Sequence, residues 1–438
     1  MTKPTLCTIL WAAGSAMAAT PVTFHKDVLP VLQKNCQTCH RPGEAAPMAF
    51  LTYKETRPWA KAIRAAVASG KMPPWSAETG AGKKFHNDRT MSANEKQVLS
   101  DWVESGAPEG NAADAPPAVR FVQGWIMGKP DKVWQLPEAY TVPASGTVEY
   151  TYYIIPNAFT EDTWIESAEI RPDARPVVHH VIAYVRPPGS TWLNGHEPGR
   201  FFVPAERKTG NQMPPNVKPS QWRQWIAGYA PGVRPHTPVQ GGARLVPAGS
   251  DLVFELHYTA AGKPMPDRSS VGIILAKEKP EHRVVTSVVL NTGFKIPAGA
   301  DNHRVDASVT LAEPVTMLSV TPHMHLRGKA FEYRAIYPTG ESEVLLRVPK
   351  YDFNWQISYE FEKPLNLPKG TRIECTAHYD NSANNRFNPD PNKEVKWGDQ
   401  SWEEMFAGFM EFSLNLNQDP DTLFEKAKKP PVQTAANR

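Results

Sequence analysis

The sequence predicts a multi-domain protein of the α + all-β class, with a small helical domain followed by two β-sandwich domains. Apolar residues at helical spacing are confined to roughly the first hundred residues. Short β-branched runs separated by Pro and Gly fill the rest of the chain. Proline accounts for 43 of the 438 residues, which favours loops and short strands. A chain of this length is expected to form about three domains.

Composition excludes several classes of protein. Lys and Arg number 48 and Asp and Glu 45, so there is no basic excess for a nucleic-acid partner. The 4 cysteines are too few and too unevenly placed for a disulfide framework. Beyond the N-terminus, no stretch approaches the roughly 18 apolar residues of a membrane span. The 13 histidines are the feature that remains to be explained.

The first 18 residues have the pattern of a secretory signal peptide. Lys3 precedes an apolar stretch at 6–13, and Ala16-Met17-Ala18 matches a small-residue cleavage site. We therefore expect a periplasmic or secreted protein, and the alternative is a frayed amphipathic N-terminus of a cytosolic protein. Cys7 would leave with the signal peptide.

Apolar spacing predicts three helices in the domain at 20–107. They lie over 27–33, over 58–69 and after a capping box at 92–95. Gly106 ends the third helix. Residues 108–119 are poor in apolar side chains and are predicted to form a linker.

After the linker, alternating or β-branched runs predict the strands of β-sandwiches. Examples are 148–155, 164–170, 177–185, 252–258, 271–275, 284–290, 315–320, 357–361 and 372–378. The pattern P-x-G-[S/T]-x-[L/I]-x₄-H-Y occurs twice, from Pro247 to Tyr258 and from Pro368 to Tyr379. Each copy follows a pair of histidines, which favours two related β domains over chance similarity. The predicted bounds are 120–282 and 283–425, with a polar tail at 426–438.

Residues 36–40 read Cys-Gln-Thr-Cys-His, a C-x-x-C-H motif. Cys36 and Cys39 can bond to the two vinyl groups of one haem, and His40 can ligate the iron. A redox dithiol or half of a zinc site is the alternative. The second axial ligand is predicted to be Met72, in a loop stiffened by prolines, with Met48 as the competing candidate. The domain is therefore expected to carry one covalent haem c.

Two pairs of histidines lie in predicted strands. His179 and His180 are adjacent, so their rings reach one metal only if the strand ends, twists or bulges there. Burial of two imidazoles is costly without partners, which favours a metal. His323 and His325 are two residues apart and point the same way on a strand, as two corners of one site would. The alternative for each pair is a set of ordinary histidines.

Residues 120–425 resemble a known family on four motifs: the His179-His180 strand, Leu256-His257-Tyr258, His323-x-His325, and Glu403-Glu404-Met405 before a late apolar strand. The family is that of the copper type II, ascorbate-dependent monooxygenases, which includes peptidylglycine α-hydroxylating monooxygenase and dopamine β-monooxygenase. The N-terminal segment resembles the c-type cytochromes. The resemblance implies a cytochrome c domain followed by two jelly-roll-like β-sandwich domains, each with one copper.

Carried over to this sequence, the resemblance implies two sets of copper ligands: His179, His180 and His257 for electron transfer, and His323, His325 and Met405 for activation of O₂. The ligand types suit these roles. Imidazoles hold copper in both oxidation states, whereas a soft thioether favours Cu(I), and a three-ligand set leaves a position open for O₂. Met410 is the alternative thioether, and on a regular strand it would face opposite to Met405.

The β part also departs from the family. It has only Cys375, so it cannot contain the internal disulfides of the animal enzymes. The peptide-binding Arg, Asn and Tyr of the amidating enzyme fall on Thr321, Ala407 and Phe409, so recognition of a peptide carboxylate is not expected.

Three further histidines are not assigned to a metal. His378 is the repeat counterpart of His257, and it is either a group near the second copper or a strand-end His bonded to its own loop. His25 and His86 are predicted to be ordinary surface histidines.

These expectations combine into an exported copper- and haem-dependent monooxygenase. Electrons from ascorbate or a periplasmic donor would reach the first copper through the cytochrome domain and/or directly, and then the second. The second copper would use O₂ to hydroxylate a C–H bond of a small organic substrate, which the sequence does not identify. The alternative is a non-catalytic redox or copper-binding electron-transfer protein. A third reading is electron flow from an oxidised substrate through copper to haem.

Overall fold

The structure is a computed structural model that describes residues 21–204, 224–233, 235 and 238–425. The predicted signal peptide and the polar tail lie outside these residues. Strands make up 38% of the described residues and helices 12%, so this part of the protein is mostly β, as the sequence predicts.

Four α-helices, α1–α4, precede the strands. They cover Leu29–Asn35, Tyr53–Thr56, Ala60–Ala68 and Ala93–Glu104, with turns of π- or 3₁₀-helix at Phe24–Val28, Arg57–Trp59, Ala112–Asp114 and, late in the chain, Pro420–Thr422. The predicted capping box is present, because the Ser92 hydroxyl accepts from the Glu95 N–H and the Glu95 carboxylate accepts from the Ser92 N–H. Gly106 follows α4 in the left-handed region, at φ +90°. Among the described residues no helix has the length and apolar character to cross a membrane.

The described residues contain 21 strands in two groups. The first β region contains β1–β11, at Lys132–Gln135, Tyr140–Val142, Thr151–Phe159, Thr163–Arg171, Val178–Arg186, Phe201–Phe202, Gln224–Tyr229, Gly242–Val246, Ser250–Tyr258, Met265–Asp267 and Ser270–Leu275. The second β region contains β12–β21, at His282–Leu290, Lys295–Ile296, His303–Thr310, Val315–His323, Gly328–Ile336, Ser342–Val348, Tyr359–Leu367, Arg372–Tyr379, Val395–Lys396 and Ala407–Asn415. Every run that the sequence predicts as a strand overlaps one of these.

One large sheet runs through both β regions. It has eight strands in the order β1-β11-β4-β8-β12-β21-β15-β18. The parallel pair of β8 with β12 joins its two halves, where His282 is opposite Gly242 and Arg283 opposite Ala243. A five-stranded sheet, β6-β3-β9-β5-β7, belongs to the first region, and a four-stranded sheet, β14-β19-β16-β17, to the second. The predicted boundary after residue 282 therefore falls where the large sheet passes from one region to the other.

Four apolar cores lie between these elements in the described residues, and the smallest of them, on the other face of the five-stranded sheet from the second core below, contains Tyr150, Tyr152 and Tyr184. One joins the helices and includes Trp102, which is fully buried. A second joins the five-stranded sheet to β1, β4 and β11, and includes Phe254. The third fills the second β region, where the buried Cys375 is a free thiol, as the sequence predicts.

The helical region is fastened directly to the second β region. Phe85, which follows the helix α3 and its loop, is buried in the core of that region and forms an isolated bridge with Phe361. The His86 N–H donates to the carbonyl of Glu360 at 3.0 Å, and its ring nitrogen lies 3.2 Å from the Glu360 carboxylate. His86 thus lies at a contact between the two regions, and burial of Phe85 holds the segment there.

The two copies of the repeat fold into the same turn and strand. Gly249 and Gly370 both have positive φ, at +75° and +82°. The Ser250 hydroxyl donates to the carbonyl of Pro247 at 2.7 Å, and Thr371 makes the corresponding bond to the carbonyl three residues before it at 2.8 Å. The turns start β9 and β19, so the repeat specifies a turn chemistry that places a His-Tyr pair at each strand end.

Candidate metal and haem sites

A β-bulge in β5 brings two adjacent histidine rings to one site. Its pairing with β9 shifts register so that Val178 is opposite Tyr258 while His180 is opposite His257. The bulge leaves His179 as the extra residue of the strand. The sequence predicts that both rings can reach one metal if the strand ends, twists or bulges, and the structure contains the bulge.

His179, His180 and His257 together form what we call the histidine trio. One ring nitrogen from each lies within 4.8 Å of the other two. The Nδ1 atoms of His179 and His180 are 3.2 Å apart, and the His257 ring centroid is 4.9 Å from those of both other rings. Among the described residues, the buried Nε2 of His179 and Nδ1 of His257 find no hydrogen-bond partner. Buried nitrogens without partners at this spacing fit a metal ion.

Burial keeps the imidazoles of the trio neutral. It lowers the pKa of His179 to about 4, against a smaller opposing effect of Asp352. Burial lowers the pKa of His180 and His257 well below the ordinary range, and neighbouring histidines lower it further. Because neutral imidazole is the form that binds a metal, the trio can bind one at neutral pH without first losing protons.

The second histidine pair lies at the end of β15. The ring centroids of His323 and His325 are 5.3 Å apart, with the ring planes at 84°. Nδ1 of His323 is 2.7 Å from Oε1 of Gln356, which places the proton on Nδ1 and makes Nε2 the basic nitrogen. His325 is only 1% exposed, and in the described part of the chain neither of its ring nitrogens has a hydrogen bond of normal geometry. Burial lowers its pKa well below the ordinary range.

A buried carboxylate fixes the turn that carries His325. Glu404 accepts hydrogen bonds from the backbone N–H groups of His325 at 2.8 Å, Arg327 at 2.6 Å and Met405 at 3.2 Å. Burial raises the pKa of Glu404 to about 8, although these bonds and the Arg327 charge oppose the rise. Glu404 therefore holds His325 and Met405, which are far apart in the sequence, at one place.

Met405 lies on the same cavity as the histidine pair, and we call His323, His325 and Met405 the His–Met set. This aromatic cavity has a volume of about 100 Å³ and lies between the five-stranded sheet and β15. Its lining also includes one histidine of the trio, five aromatic side chains and a threonine: His180, Tyr150, Tyr152, Tyr184, Trp225, Phe409 and Thr321. Met410 is 1% exposed and packs in the core of the second β region. Of the two candidate thioethers, only Met405 faces the pair.

The positions that depart from the amidating enzyme surround this set. In the pairing of β15 with β21, Ala407 is opposite His323 and Phe409 is opposite Thr321. Thr321 and Phe409 line the aromatic cavity. A methyl group, a hydroxyl and a phenyl ring at these positions provide no cation for a peptide carboxylate.

Two aromatic rings connect the trio to the His–Met set. Tyr150 stacks on His257 with centroids 4.3 Å apart, and its ring is 6.4 Å from that of His325. Phe353 stacks on His179 at 4.9 Å and lies 6.0 Å from His325. The five histidines therefore belong to one connected site in which each set has a neighbour in common with the other.

The C-x-x-C-H motif forms a tight turn after α1. The N–H groups of Cys39 and His40 both donate to the carbonyl of Cys36, at 3.1 and 3.0 Å. The His40 ring stacks on Phe50 at 4.3 Å, and its Nδ1 lies 3.3 Å from the carbonyl oxygen of Met48. This contact makes Nε2 the basic nitrogen, and burial lowers the His40 pKa.

A cavity of about 600 Å³ lies beside the motif, and we call it the junction cavity. Cys36, Cys39 and His40 line it together with apolar side chains of α3, including Ile63 and Val67. Its size is within the range of about 300–1,000 Å³ for cofactor sites. Apolar walls, two thiols and a neutral imidazole fit a covalently attached haem.

Both candidate methionines line the junction cavity. The carbonyl of Met48 contacts the His40 ring, so Met48 approaches from the His40 side. Met72 follows α3, and its N–H donates to the carbonyl of Ala66 at 3.2 Å. Both thioethers therefore stay candidates for the second haem ligand, with Met72 as the prediction and Met48 as the alternative.

The alternatives for the motif need thiolates. Burial, with smaller contributions from Cys39 and Glu95, raises the pKa of the Cys36 thiol to about 12. A redox dithiol depends on a lowered thiol pKa, so this shift disfavours it. In the part of the chain that the structure describes, only the trio groups three His, Cys, Asp or Glu side chains at metal-binding distances. Both observations disfavour these alternatives.

Among the remaining histidines, His378 lies apart from the His–Met set. In β19 it is opposite Arg304, and Asp306 is also near its ring. Tyr379 points to the other face of the sheet, where its hydroxyl donates to the carbonyl of Met405 at 2.8 Å. His25 lies 3.4 Å from the carboxylate of Glu109.

Sequence reasoning missed the residues that support the ligands. Tyr150 and Phe353 are aromatic residues without a distinctive spacing, and their contacts come from distant parts of the chain. The sequence does not indicate that Gln356 contacts a ligand, because an amide side chain in a loop is common. Glu404 lies inside a motif that the sequence singled out, and the doubled acid before an apolar strand was the available signal for a buried carboxylate.

Comparison with known proteins adds little. No protein-family model matches the sequence, and no curated protein matches it either. Among solved structures, one of the infectious bursal disease virus Gx strain shares 10% identity over 68% of this chain and 75% of that chain, with a TM-score of 0.20. A bacteriophage PM2 spike protein P1 stem and receptor-binding domain shares 9% identity over 65% of this chain and 98% of that chain, at a TM-score of 0.14. TM-scores this low say nothing of function.

Proposed function

We propose that this chain is a haem- and copper-containing monooxygenase related to the copper type II, ascorbate-dependent enzymes. It would consist of a cytochrome c domain followed by two jelly-roll-like β-sandwich domains. The observation that carries the proposal is that ligands from distant strands meet at one place. His180 of the trio and all three members of the His–Met set line the same aromatic cavity.

The trio would hold the electron-transfer copper. Three buried neutral imidazoles suit a metal that changes between Cu(I) and Cu(II) without a change of ligands. The bulge and the pairing of His180 with His257 fix two of the rings on the sheet. Rigid ligands of this kind favour fast electron exchange, because little of the site moves when the charge changes.

The His–Met set would hold the second copper, which when bound would supply activation of O₂ by reduction. The chain contributes the geometry of that site. Gln356 orients the His323 ring, and Glu404 holds the backbone of His325 and Met405. Tyr152, Tyr184 and Trp225 line the cavity, and aromatic walls of this kind would limit the access of water to a bound copper.

The small volume of the cavity supports the competing function. About 100 Å³ is below the roughly 300 Å³ at which substrate pockets begin, so the cavity takes O₂ more readily than an organic molecule. A non-catalytic copper and haem electron-transfer protein would need no larger space. Hydroxylation therefore requires either a very small substrate or opening of the cavity.

Isotopic oxygen separates these functions. The full chain with haem and copper is incubated with ascorbate, ¹⁸O₂ and a series of organic compounds of increasing size, beginning with the smallest that carry a C–H bond. We expect hydroxylated product with oxygen from ¹⁸O₂. His323→Ala should abolish it and leave the haem spectrum intact, whereas His378→Ala, the matched control away from the site, should retain it.

Two results would count against the proposal. Absence of any ¹⁸O-labelled product from a fully metallated chain would favour the electron-transfer protein. Product oxygen derived from water, with electrons appearing on the haem, would favour substrate oxidation in the reverse direction.

A further inference from the structure

The junction cavity is not closed by the helical region alone. Residues 175–179, which lead into β5, form part of its wall, and Thr259 lines it from the end of β9. Asn354 and Trp355 of the second β region complete it. A cofactor in this cavity would therefore touch all three regions of the protein.

His179 is the residue at which the junction cavity and the trio meet. Its side chain lines the cavity and also provides one of the trio's ring nitrogens. Phe353, which stacks on its ring, directly precedes the cavity residue Asn354. A single side chain thus forms the boundary between the two sites.

Ion pairs and close backbone contacts hold the regions together around this boundary. Arg175 pairs with Glu44, which also pairs with Arg41, so the loop after the C-x-x-C-H motif is tied to the start of β5. On the same side, the backbone at Gly232 approaches Cys39 so closely that a Cβ there would lie 3.5 Å from the cysteine sulfur. The partly buried ion pairs and the close approach indicate a fixed contact rather than a tethered domain.

We propose that the haem is held at the junction of the three regions, with residues 175–179 as one wall of its pocket and His179 shared between that pocket and the trio. This inference rests on the proposed function. Electron passage across the shared wall would oxidise ferrous haem to ferric and reduce Cu(II) to Cu(I), one electron for one electron, with an external reductant such as ascorbate restoring the haem. No movement of the helical region is required.

The charges of the pocket agree with this placement. The cavity is mostly apolar, but its lining includes two cations, Lys71 from the helical region and Arg175 from the first β region. A haem carries two propionates, and the Lys71 ammonium can pair with one of them. Arg175 is already paired with Glu44, and its remaining guanidinium N–H groups can donate to the other propionate. Arg175 would therefore bind the haem from a region outside the cytochrome segment.

A redox titration of the haem tests the shared wall. The full chain with haem is stripped of copper and titrated before and after addition of Zn(II), which is redox-inactive and binds imidazoles. Filling the trio puts positive charge beside the pocket, so the haem midpoint potential should rise. The rise should persist in His323→Ala and vanish in His257→Ala, which breaks the trio without altering the wall.

A second variant tests the wall itself. Arg175→Gln should change the haem potential in the metal-free chain, whereas Lys263→Gln, a substitution of an exposed side chain in the same region, should not. If Zn(II) binds to the trio with no change in potential, or Arg175→Gln leaves the potential unchanged, the shared pocket is wrong and the proposed function stands. If the trio binds neither Zn(II) nor Cu(II), both fail.

Discussion

The trio and the His–Met set are built by similar means and differ in what surrounds them. Each takes two histidines from one strand or its end and a third ligand from a distant segment. The trio lies between two cavities, because His179 lines the junction cavity and His180 the aromatic cavity. Of these two cavities, the His–Met set lines the aromatic cavity and not the junction cavity. The difference suits a trio that relays electrons and a set that meets O₂.

Each region also supports its ligands with a buried carboxylate and the tyrosine of the sequence repeat. In the first region, Asp267 accepts from the N–H groups of Asp173 and Ala174, at 3.0 and 2.9 Å, and from the Tyr258 hydroxyl at 3.1 Å. In the second, Glu404 accepts hydrogen bonds from the backbone N–H groups of the ligands His325 and Met405. The Tyr379 hydroxyl donates to the carbonyl of Met405. Asp267 therefore holds the backbone segment that leads to the trio, whereas Glu404 holds the backbone of the ligands of the His–Met set.

Replacement of the thioether should produce the largest contrast between the two sites. Met405→Leu keeps the volume of the side chain and removes the soft ligand. Loss of a residue that only supports a metal ligand lowers metal affinity by about 10–100-fold, so Cu(I) affinity at the His–Met set should fall by at least this factor. Cu(I) affinity at the trio should not change. Competition titration with a Cu(I) chelator measures both affinities.

Met410→Leu is the matched control, because Met410 packs in the core. If Met410→Leu weakened Cu(I) binding as much as Met405→Leu did, the identity of the thioether would be wrong.

Loss of either buried carboxylate should destabilise the fold and affect only its own site. Glu404→Ala leaves three backbone N–H groups without an acceptor, which lowers the free energy of unfolding by about 3 kcal/mol or more. It should also lower copper at the His–Met set. Asp267→Ala should have a similar cost but affect the trio. Urea unfolding and metal analysis of each variant provide the two readings.

The conservative variants Glu404→Gln and Asp267→Asn keep one acceptor oxygen and should lose less stability. A Glu404→Ala protein that retained its copper at both sites would show that the carboxylate does not position the ligands.

Mild acid should destabilise the copper-free protein chiefly through its buried histidines, which are the trio and His325. The folded pKa of His179 is about 4, below its usual value near 6.5, so between these values the unfolded chain binds more protons than the folded one. Stability is therefore lost as the pH falls from 6.5 toward 4, by about 2 kcal/mol at pH 5 from this residue alone. Urea titrations of the copper-stripped, haem-containing chain at pH 7, 6 and 5 measure the loss.

His179→Asn should remove part of that pH dependence, and His303→Asn, which changes a histidine in β14 far along the chain from the trio, should leave it intact. A copper-stripped protein equally stable at pH 7 and pH 5 would contradict the buried, neutral trio.

Local patterns were sufficient for much of the fold and for most of the ligands. The capping box at 92–95, the turn before β9 and the strand runs depend on residues close in sequence, and the structure contains them. The sequence predicts that His179 and His180 reach one metal only if the strand ends, twists or bulges there. It does not predict the bulge itself, because the bulge depends on the pairing with β9, which no local pattern specifies. The attachment of Phe85 to the second β region was not foreseen, because a single apolar residue in a loop does not indicate which core it enters.

If the proposed function is right, the chain holds one haem and two separate coppers. Mass-spectrometric metal analysis of the purified full chain tests it most directly. We predict about one iron and two coppers per chain, with about one copper remaining in His257→Ala and in His323→Ala, and iron unchanged in both. Copper near zero in the unaltered chain, or loss of both coppers from either single variant, would contradict the account.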